Sequence, residues 1–166
     1  IFNHQSATDV LILARLLRQD YTGMTKKEMR NNPLLGPALQ FADAVFIDRQ
    51  GHTDPAEVAR PALEKLASGL SIAIAPEGHR STGYKLGPFK KGAFHIAMQA
   101  GVPVVPIVIA NSSDSLPRSA VLIRPATIEV KVLEPISTTT WEASQMDRQV
   151  RHCRQLFLRE LGQTGD

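Results

Sequence analysis

The stretch 54-DPAEVARPALEKLASGLSIAIAPEGHR-80 holds a complete helix-to-strand unit, and it decides the fold prediction. Asp54 is a good N-cap, Pro55 suits the first helical position, and Gly69 is typical of a C-terminal cap. The residues Leu70–Ala75 that follow are almost entirely apolar, which is typical of a strand in a sheet covered on both faces. The unit therefore predicts a helix packed on a buried strand.

The same alternation of helices and short apolar strands continues over most of the chain. Further helices are predicted to start near Ser6 and Asn32-Pro33 and to cover about Lys91–Ala100 and Trp141–Leu161, and further strands at Ala44–Ile47, Val102–Ala110 and Thr127–Leu133. This order predicts an α/β fold with a layered, mostly parallel sheet flanked by helices. Residues 112–118 are the most loop-like and predict a change in strand direction.

Composition limits the class of protein. A chain of 166 residues with 43% hydrophobic and 21% charged residues predicts one globular domain over residues 1–166. The single cysteine, Cys153, excludes an intramolecular disulfide and a cysteine-based zinc site, and the histidines show no ligand spacing, so no metal is predicted. The longest apolar run, Val102–Ala110, is too short to span a bilayer. Because the sequence opens with Ile1, we expect a fragment lacking an N-terminal segment.

The net charge is +3, with a sequence pI of about 9.3. This basic excess suits phosphate esters, nucleic acid or an anionic membrane surface, and it does not choose among them.

The segment 3-NHQSATD-9 places a histidine and an aspartate five residues apart at a predicted helix start. Within a continuous helix such residues are about 140° apart and cannot meet. If His4 lies in the loop before the helix and Asp9 in its first turn, the imidazole can fold back onto the carboxylate. The alternative is that Ser6 and Asp9 only cap the helix and that His4 is a surface residue.

In α/β folds, ligands bind at the carboxyl ends of strands. Asp48-Arg49 and Pro76–Arg80 follow two predicted strands directly. The guanidinium groups of Arg49 and Arg80 suit a phosphate dianion, and Gly78 lets the backbone approach a ligand closely. Alternatives stay open: Arg49 as a solvated surface residue, and an ion pair of Glu77 with Arg80 across a turn.

A lysine-rich loop and a pair of prolines each allow more than one interpretation. Lys85, Lys90 and Lys91 surround a Gly-Pro-Phe loop, which describes either a solvated face or a basic surface. Pro103 and Pro106 mark either strand entry or a sheet edge.

The order and wording of these pieces resemble the glycerolipid acyltransferase family, in the branch that acylates 1-acylglycerol-3-phosphate (lysophosphatidic acid). Four blocks carry the resemblance: Asn3-His4-Gln5-Ser6-x-x-Asp9, Phe46-Ile47-Asp48-Arg49, Pro76-Glu77-Gly78-x-Arg80-Ser81 and Val102-Pro103-x-Val105-Pro106. They run from Asn3 to about Ile109, roughly two thirds of the chain.

The resemblance implies direct acyl transfer from acyl-CoA or acyl-carrier protein to the free hydroxyl of lysophosphatidic acid, with no cofactor. His4 would be the general base, oriented by Asp9. Arg49 and Arg80 would hold the acceptor phosphate in a turn shaped by Glu77 and Gly78. Pro103 and Pro106 would lie on the acyl-donor side. The resemblance also implies membrane association at the cytoplasmic face, and the lysines at 85, 90 and 91 could assist docking on an anionic surface.

Several other functions remain open at this point. The same chemistry could serve another acceptor, such as glycerol 3-phosphate, a lysophospholipid or an amino-lipid, and a thioesterase would use His4 to activate water. A non-catalytic lipid-binding module is a further possibility. Nucleic-acid binding is disfavoured, because no recognition motif is present.

Overall fold

We describe the chain from a computed structural model that covers residues 1–33, 36–48, 54–81, 83–118, 120 and 122–164. The chain forms two compact units, one made of Ile1–Leu16 with Ala75–Asp166 and the other of Leu17–Ile74. The prediction of one domain over residues 1–166 stays a prediction.

The elements follow in this order: α1 (Asp9–Leu17), β1 (Tyr21–Lys26), a 3₁₀ turn (Lys27–Asn31), α2 (Gly36–Phe41), β2 (Val45–Ile47), α3 (Pro55–Ala67), β3 (Ser71–Ala73), α4 (Gly92–Ala100), β4 (Ile107–Ile109), α5 (Ser112–Ser115), β5 (Val130–Val132), a 3₁₀ turn (Ala143–Gln145) and α6 (Met146–Glu160). None of the helices in the described ranges has the length and apolar character needed to cross a bilayer.

The unit Leu17–Ile74 contains a parallel three-stranded sheet in the order β2-β1-β3. Met24 pairs with Val45 on one side of β1, and Thr22 pairs with Ile72 on the other. The parallel sheet of the α/β prediction is therefore confirmed. Its central strand, however, was not predicted.

The sequence of β1, YTGMTK, explains this omission. It has neither the continuous apolar run of the neighbouring strands nor a clean alternation of apolar and polar residues, and Gly23 is disfavoured within a strand. Its identity as a strand depends on β2 and β3, which supply hydrogen-bond partners on both edges. Buried Thr22 further donates its hydroxyl to the Ala42 and Asp43 carbonyls, 3.2 and 2.9 Å away.

Helix α3 confirms the helix start and end predicted for the 54–80 stretch. Asp54 Oδ1 accepts the Ala56 N–H at 2.9 Å, and the helix ends at Ala67, before Gly69 with its φ of 90°. Because only glycine adopts such a φ without strain, Gly69 turns the chain cleanly into β3.

The other unit has its core around β4, α4 and α6. All three residues of β4 are buried, and α6 buries a face made of Met146, Val150, Cys153 and Phe157. Phe157 packs edge-on against Phe89 with ring centroids 5.2 Å apart. Strand β5 runs antiparallel to β4, so the change in strand direction predicted for residues 112–118 is confirmed.

Strand β4 is shorter than the predicted Val102–Ala110. Prolines have no N–H to donate to a ladder, and the ladder of β4 begins at Ile107, directly after Pro106. Pro106 is fully buried and its carbonyl accepts the Leu133 N–H, whereas Pro103 is exposed. Strand entry, one of the two ordinary readings of these prolines, therefore describes Pro106.

Candidate active site

The loop before α1 is fixed to strand β4 by Asn3. Its amide donates to the Ile109 carbonyl at 2.7 Å and accepts the Ile109 N–H at 2.8 Å. Asn3 is buried, so both bonds are shielded from water, which makes each more valuable than at the surface. Because His4 is the next residue, this pair of hydrogen bonds sets the position from which its side chain emerges.

His4 and Asp9 meet as the loop-and-helix geometry predicted. His4 Nδ1 lies 2.7 Å from Asp9 Oδ2, and the same oxygen accepts the Gln5 and Ser6 N–H groups at 2.8 and 2.9 Å. Asp9 is completely buried, while the His4 side chain is 22% exposed. An ionised carboxylate only accepts hydrogen bonds, so Nδ1 carries the proton and Nε2 keeps its lone pair for a substrate.

The helix start differs from the prediction by three residues. Helix α1 begins at Asp9, and the segment between Ser6 and Asp9 is a turn in which Ser6 Oγ accepts the Thr8 N–H at 3.2 Å. The Asp9 carboxylate reaches back to the Ser6 N–H, as in a capping box. One carboxylate therefore makes both the capping contact with Ser6 and the contact with His4.

Glu77 joins two loops beneath His4. Its Oε1 accepts the His4 N–H and its Oε2 accepts the Gly87 N–H, both at 2.8 Å, and the side chain is buried. The predicted alternative of an ion pair between Glu77 and Arg80 does not form, because the carboxylate is occupied by these backbone amides. A Cβ on Gly87 would lie 2.9 Å from Glu77 Oε2, so only glycine leaves room for this contact.

Burial raises the pKa of Glu77, and the N–H groups of His4 and Gly87 oppose this shift more weakly. The folded state therefore holds the Glu77 proton to a higher pH than the unfolded state does. Stability from this group is complete below the unfolded pKa of about 4.5 and is lost as pH rises through the folded pKa. Since a glutamine side chain does not titrate, we expect Glu77→Gln to reduce the fall in unfolding free energy above pH 4.5.

Urea unfolding of both proteins between about pH 4 and 8, a range that brackets the titration, measures this difference. Glu142→Gln is the matched control, since Glu142 is exposed. Parallel curves for wild type and Glu77→Gln would contradict the prediction.

Arg80 belongs to the same unit as His4 and precedes a residue that is hydrogen-bonded to it. The N–H of Ser81, its neighbour in sequence, donates to the His4 carbonyl at 2.7 Å, and Gly78 makes the preceding turn with a φ of 79°. Within the described residues, no carboxylate forms an ion pair with the half-buried Arg80 guanidinium. Arg118 adds a second cation here, since its Nη1 donates to the Arg80 carbonyl at 3.4 Å.

Arg49 lies outside the described residues, so its predicted place at the acceptor phosphate stays a prediction. Asp48, the residue before it, pairs with Lys27 over 3.5 Å. No three His, Cys, Asp or Glu side chains in the described ranges are grouped to hold a metal ion.

A groove of about 650 Å³ adjoins the 77–89 segment. Its lining combines the apolar Phe89 and Val150 with cations such as Lys85 and Arg151, and one carboxylate, Asp147, also lines it. Arg154 fixes the loop on one side by donating to the Gly87 and Leu86 carbonyls at 3.0 and 3.2 Å. Mixed lining of this kind suits a ligand with both an anionic and an apolar part.

Cys153 is not a nucleophile in this arrangement. It is fully buried on α6, and burial raises the pKa of its thiol to about 11. The thiolate, which is the reactive form, is therefore scarce at neutral pH.

Sequence reasoning missed three contributors to this site. Asn3 stood in a quoted block without a role, Arg118 lay in a segment without a motif, and Gly87 was noted only as part of a basic loop. A buried amide beside a candidate base carries a recognisable signal only once its partner strand is known. The contact of Arg118 has no sequence signal, because it joins residues 38 apart through a backbone carbonyl.

A solvent-accessible imidazole held by a buried carboxylate, with an arginine nearby on an α/β fold, defines an enzyme-like site for base-assisted transfer. The sequence model of the acyltransferase family matches residues 1–110. The chain belongs to the acyltransferase family.

Relatives over nearly the whole chain extend this result. The chain is 34% identical to the 1-acyl-sn-glycerol-3-phosphate acyltransferase of Cocos nucifera, covering 97% of this chain and 53% of the relative. It is 34% identical to the enzyme of that name from Saccharomyces cerevisiae, covering 98% of this chain and 55% of the relative. It is 31% identical to the alpha form from Homo sapiens, covering 99% of this chain and 60% of the relative. The chain thus spans little more than half the length of these curated relatives.

A solved structure agrees with the fold. The 1-acyl-sn-glycerophosphate (LPA) acyltransferase PlsC from Thermotoga maritima matches with a TM-score of 0.79 and 26% identity, over 97% of this chain and 63% of that chain. The resemblance to the lysophosphatidic acid branch and the α/β acyltransferase fold, both predicted from the sequence, are confirmed.

Proposed function

We propose that the chain transfers an acyl group from acyl-CoA or acyl-carrier protein to the free hydroxyl of 1-acylglycerol-3-phosphate, forming phosphatidic acid. The observation that carries the proposal is the 2.7 Å contact between His4 Nδ1 and Asp9 Oδ2, which leaves Nε2 as a base. The names of the relatives support the choice of acceptor.

In the proposed reaction, His4 Nε2 takes the hydroxyl proton while the hydroxyl oxygen attacks the thioester carbonyl. The resulting tetrahedral intermediate collapses and expels the thiolate, which receives the proton from the imidazolium. Asp9 stabilises that imidazolium and holds the ring in place. Positioned base catalysis of this kind contributes about 10²- to 10⁴-fold, and proximity of the reactive thioester supplies much of the rest. The reaction needs no metal or organic cofactor.

We assign the acceptor phosphate to Arg80 and Arg49, with Gly78 and Glu77 maintaining the turn. Arg80 has no competing carboxylate among the described residues, so its charge is available to a phosphate. Pro103 and Pro106 belong to the acyl-donor side in this proposal; buried Pro106 would act there through the course of the backbone. The reaction takes place at the cytoplasmic face of a membrane, where both lipids reside.

Thiol release from acyl-CoA, measured with and without lysophosphatidic acid, tests the proposal, with phosphatidic acid identified by mass spectrometry. Acceptor-dependent release with formation of phosphatidic acid is the expected result. Equal release without acceptor would instead indicate a thioesterase, and release only with another acceptor would reassign the substrate.

Arg80→Gln should raise KM for lysophosphatidic acid about tenfold or more and leave KM for acyl-CoA nearly unchanged. Loss of a charge-assisted hydrogen bond to a phosphate costs about 1.5–3 kcal/mol, which is roughly 10- to 100-fold in affinity. Steady-state kinetics with each substrate varied in turn measure both constants. Arg148→Gln, at an exposed position of α6, is the matched control. An unchanged acceptor KM would remove Arg80 from the phosphate site.

A further inference from the structure

Helix α1 is apolar, yet it buries little of its surface. Only Asp9 and Leu13 are buried, whereas Val10, Leu11 and Leu16 are 51%, 62% and 41% exposed. A surface helix ordinarily turns its apolar stripe towards the core and its polar residues towards water. The exposed apolar residues of α1 therefore indicate a contact that the described chain does not itself provide.

A second exposed apolar pair lies in the same unit. Leu122 and Ile123 are 76% and 62% exposed. Leu11, Leu16 and Ile123 line one groove of about 480 Å³, together with Val130 of β5. Leu11, Leu16 and Ile123 thus share one surface, and together with their exposed sequence neighbours Val10 and Leu122 we call them the apolar face.

Basic residues outnumber acidic ones around the apolar face. The two segments that form it, residues 10–16 and 115–128, contain Arg15, Arg118 and Arg124 and no aspartate or glutamate. Arg15 lines the groove itself. Two acidic residues border the second segment: Asp114, which accepts hydrogen bonds from Tyr84 and Asn111, and the exposed Glu129, which lies between Ile128 and Val130 of the groove. Apolar side chains among arginines complement an anionic, apolar surface.

We propose that the apolar face docks on an anionic lipid bilayer, with Leu122 and Ile123 inserted among the headgroups. Transfer of exposed leucine and isoleucine side chains out of water is favourable, and basic residues are attracted to the negative leaflet. A second copy of the chain fits this face less well, because a symmetric contact would place arginines against arginines.

The apolar face adjoins the active site through short connections. Helix α1 begins at Asp9, which holds His4, and Ser6 Oγ donates to the Leu116 carbonyl at 2.8 Å. The inference rests on the proposed function in one respect: docking here brings His4 to the surface where its lipid substrates reside. It also differs from the sequence-based expectation that Lys85, Lys90 and Lys91 dock, since Lys91 pairs with Asp147 at 2.8 Å.

Vesicle co-sedimentation of the 166-residue chain tests the proposal, with vesicles of phosphatidylcholine alone and with about 30 mol% phosphatidylglycerol, which supply a neutral and an anionic surface. Leu122→Glu/Ile123→Glu should weaken binding about tenfold or more. Arg15→Gln and Arg124→Gln should each weaken binding about fivefold, and only to the anionic vesicles. Val132→Glu and Phe41→Glu are matched controls, because both replace apolar residues that are more than half exposed, at 55% and 95%.

Circular dichroism first establishes that each variant is folded, and the exposed positions make this the expected result. Three outcomes would overturn the proposal: no binding of the wild type, equal losses in the two control variants, or losses in Lys85→Glu/Lys90→Glu but not in Leu122→Glu/Ile123→Glu. A dimer seen by light scattering that is abolished by the double variant, with vesicle binding unchanged, would assign the face to a second copy.

The two proposals fail separately. A short-chain lysophosphatidic acid below its micellar concentration measures acyl transfer without vesicles. Docking that follows the expected pattern, with no transfer to this soluble acceptor, would sustain the docking face and contradict the proposed function. Transfer to the soluble acceptor with no vesicle binding would support the proposed function and contradict the docking face.

Discussion

His4→Ala should abolish nearly all acceptor-dependent thiol release, with kcat lowered about 10²- to 10⁴-fold, which corresponds to about 3–5.5 kcal/mol in the barrier. An alcohol is a weak nucleophile near neutral pH, and Nε2 is the ring nitrogen of His4 that the contact with Asp9 leaves free. The effect should lie in kcat rather than KM, since the imidazole accepts the hydroxyl proton in the transition state.

The fold should tolerate this change, because the bonds that position residue 4 use its backbone N–H and carbonyl. Thermal unfolding of His4→Ala should therefore stay close to wild type. His152→Ala, at an exposed position of α6, is the control for loss of an imidazole elsewhere. A His4→Ala protein with more than about a tenth of wild-type kcat would show that the hydroxyl is deprotonated by another group.

Asp9→Ala should reduce activity and also destabilise the fold by about 2–5 kcal/mol. The substitution leaves the buried N–H groups of Gln5 and Ser6 without an acceptor and removes the partner of His4 Nδ1. Each unsatisfied buried group costs about 1–3 kcal/mol, so the loop before α1 loses much of its support. Urea unfolding measures the loss, and thiol release measures activity.

Asp9→Asn separates the two effects. The amide oxygen can still accept a backbone N–H, so we expect a smaller loss of stability, while the lost charge no longer stabilises the His4 imidazolium. Asp147→Ala is the comparison for a surface carboxylate, where loss of the exposed pair with Lys91 should leave stability nearly unchanged. If Asp9→Asn kept wild-type kcat, the carboxylate would serve the fold alone.

Local sequence signals predicted those elements whose ends are marked by caps. Helices α3 and α4 end before Gly69 and Gly101, both with positive φ, as the glycines indicated. The contact between His4 and Asp9 was also predictable, because it spans one loop-to-helix boundary. Strand β1 was not, since a strand of mixed composition is defined by its two neighbours rather than by its own pattern.

The supports of the site were hidden for a related reason. A carboxylate such as Glu77 beside an arginine in sequence invites an ion pair, but two backbone amides from distant segments occupy it instead. Contacts between a side chain and a distant backbone leave no trace in residue type on the backbone side. The residues assigned to the proposed reaction were named from the sequence, whereas those that hold them required the tertiary structure.

The pair of hydrogen bonds between Asn3 and Ile109 has a consequence for biosynthesis. It joins positions 106 residues apart, and the Glu77 contact to His4 joins positions 73 apart. A nascent chain therefore exposes the histidine early but cannot complete this set of contacts until Ile109 has left the ribosome. Acyl transfer should accordingly be absent from stalled translation products that end before strand β4 and should first emerge in those that include it.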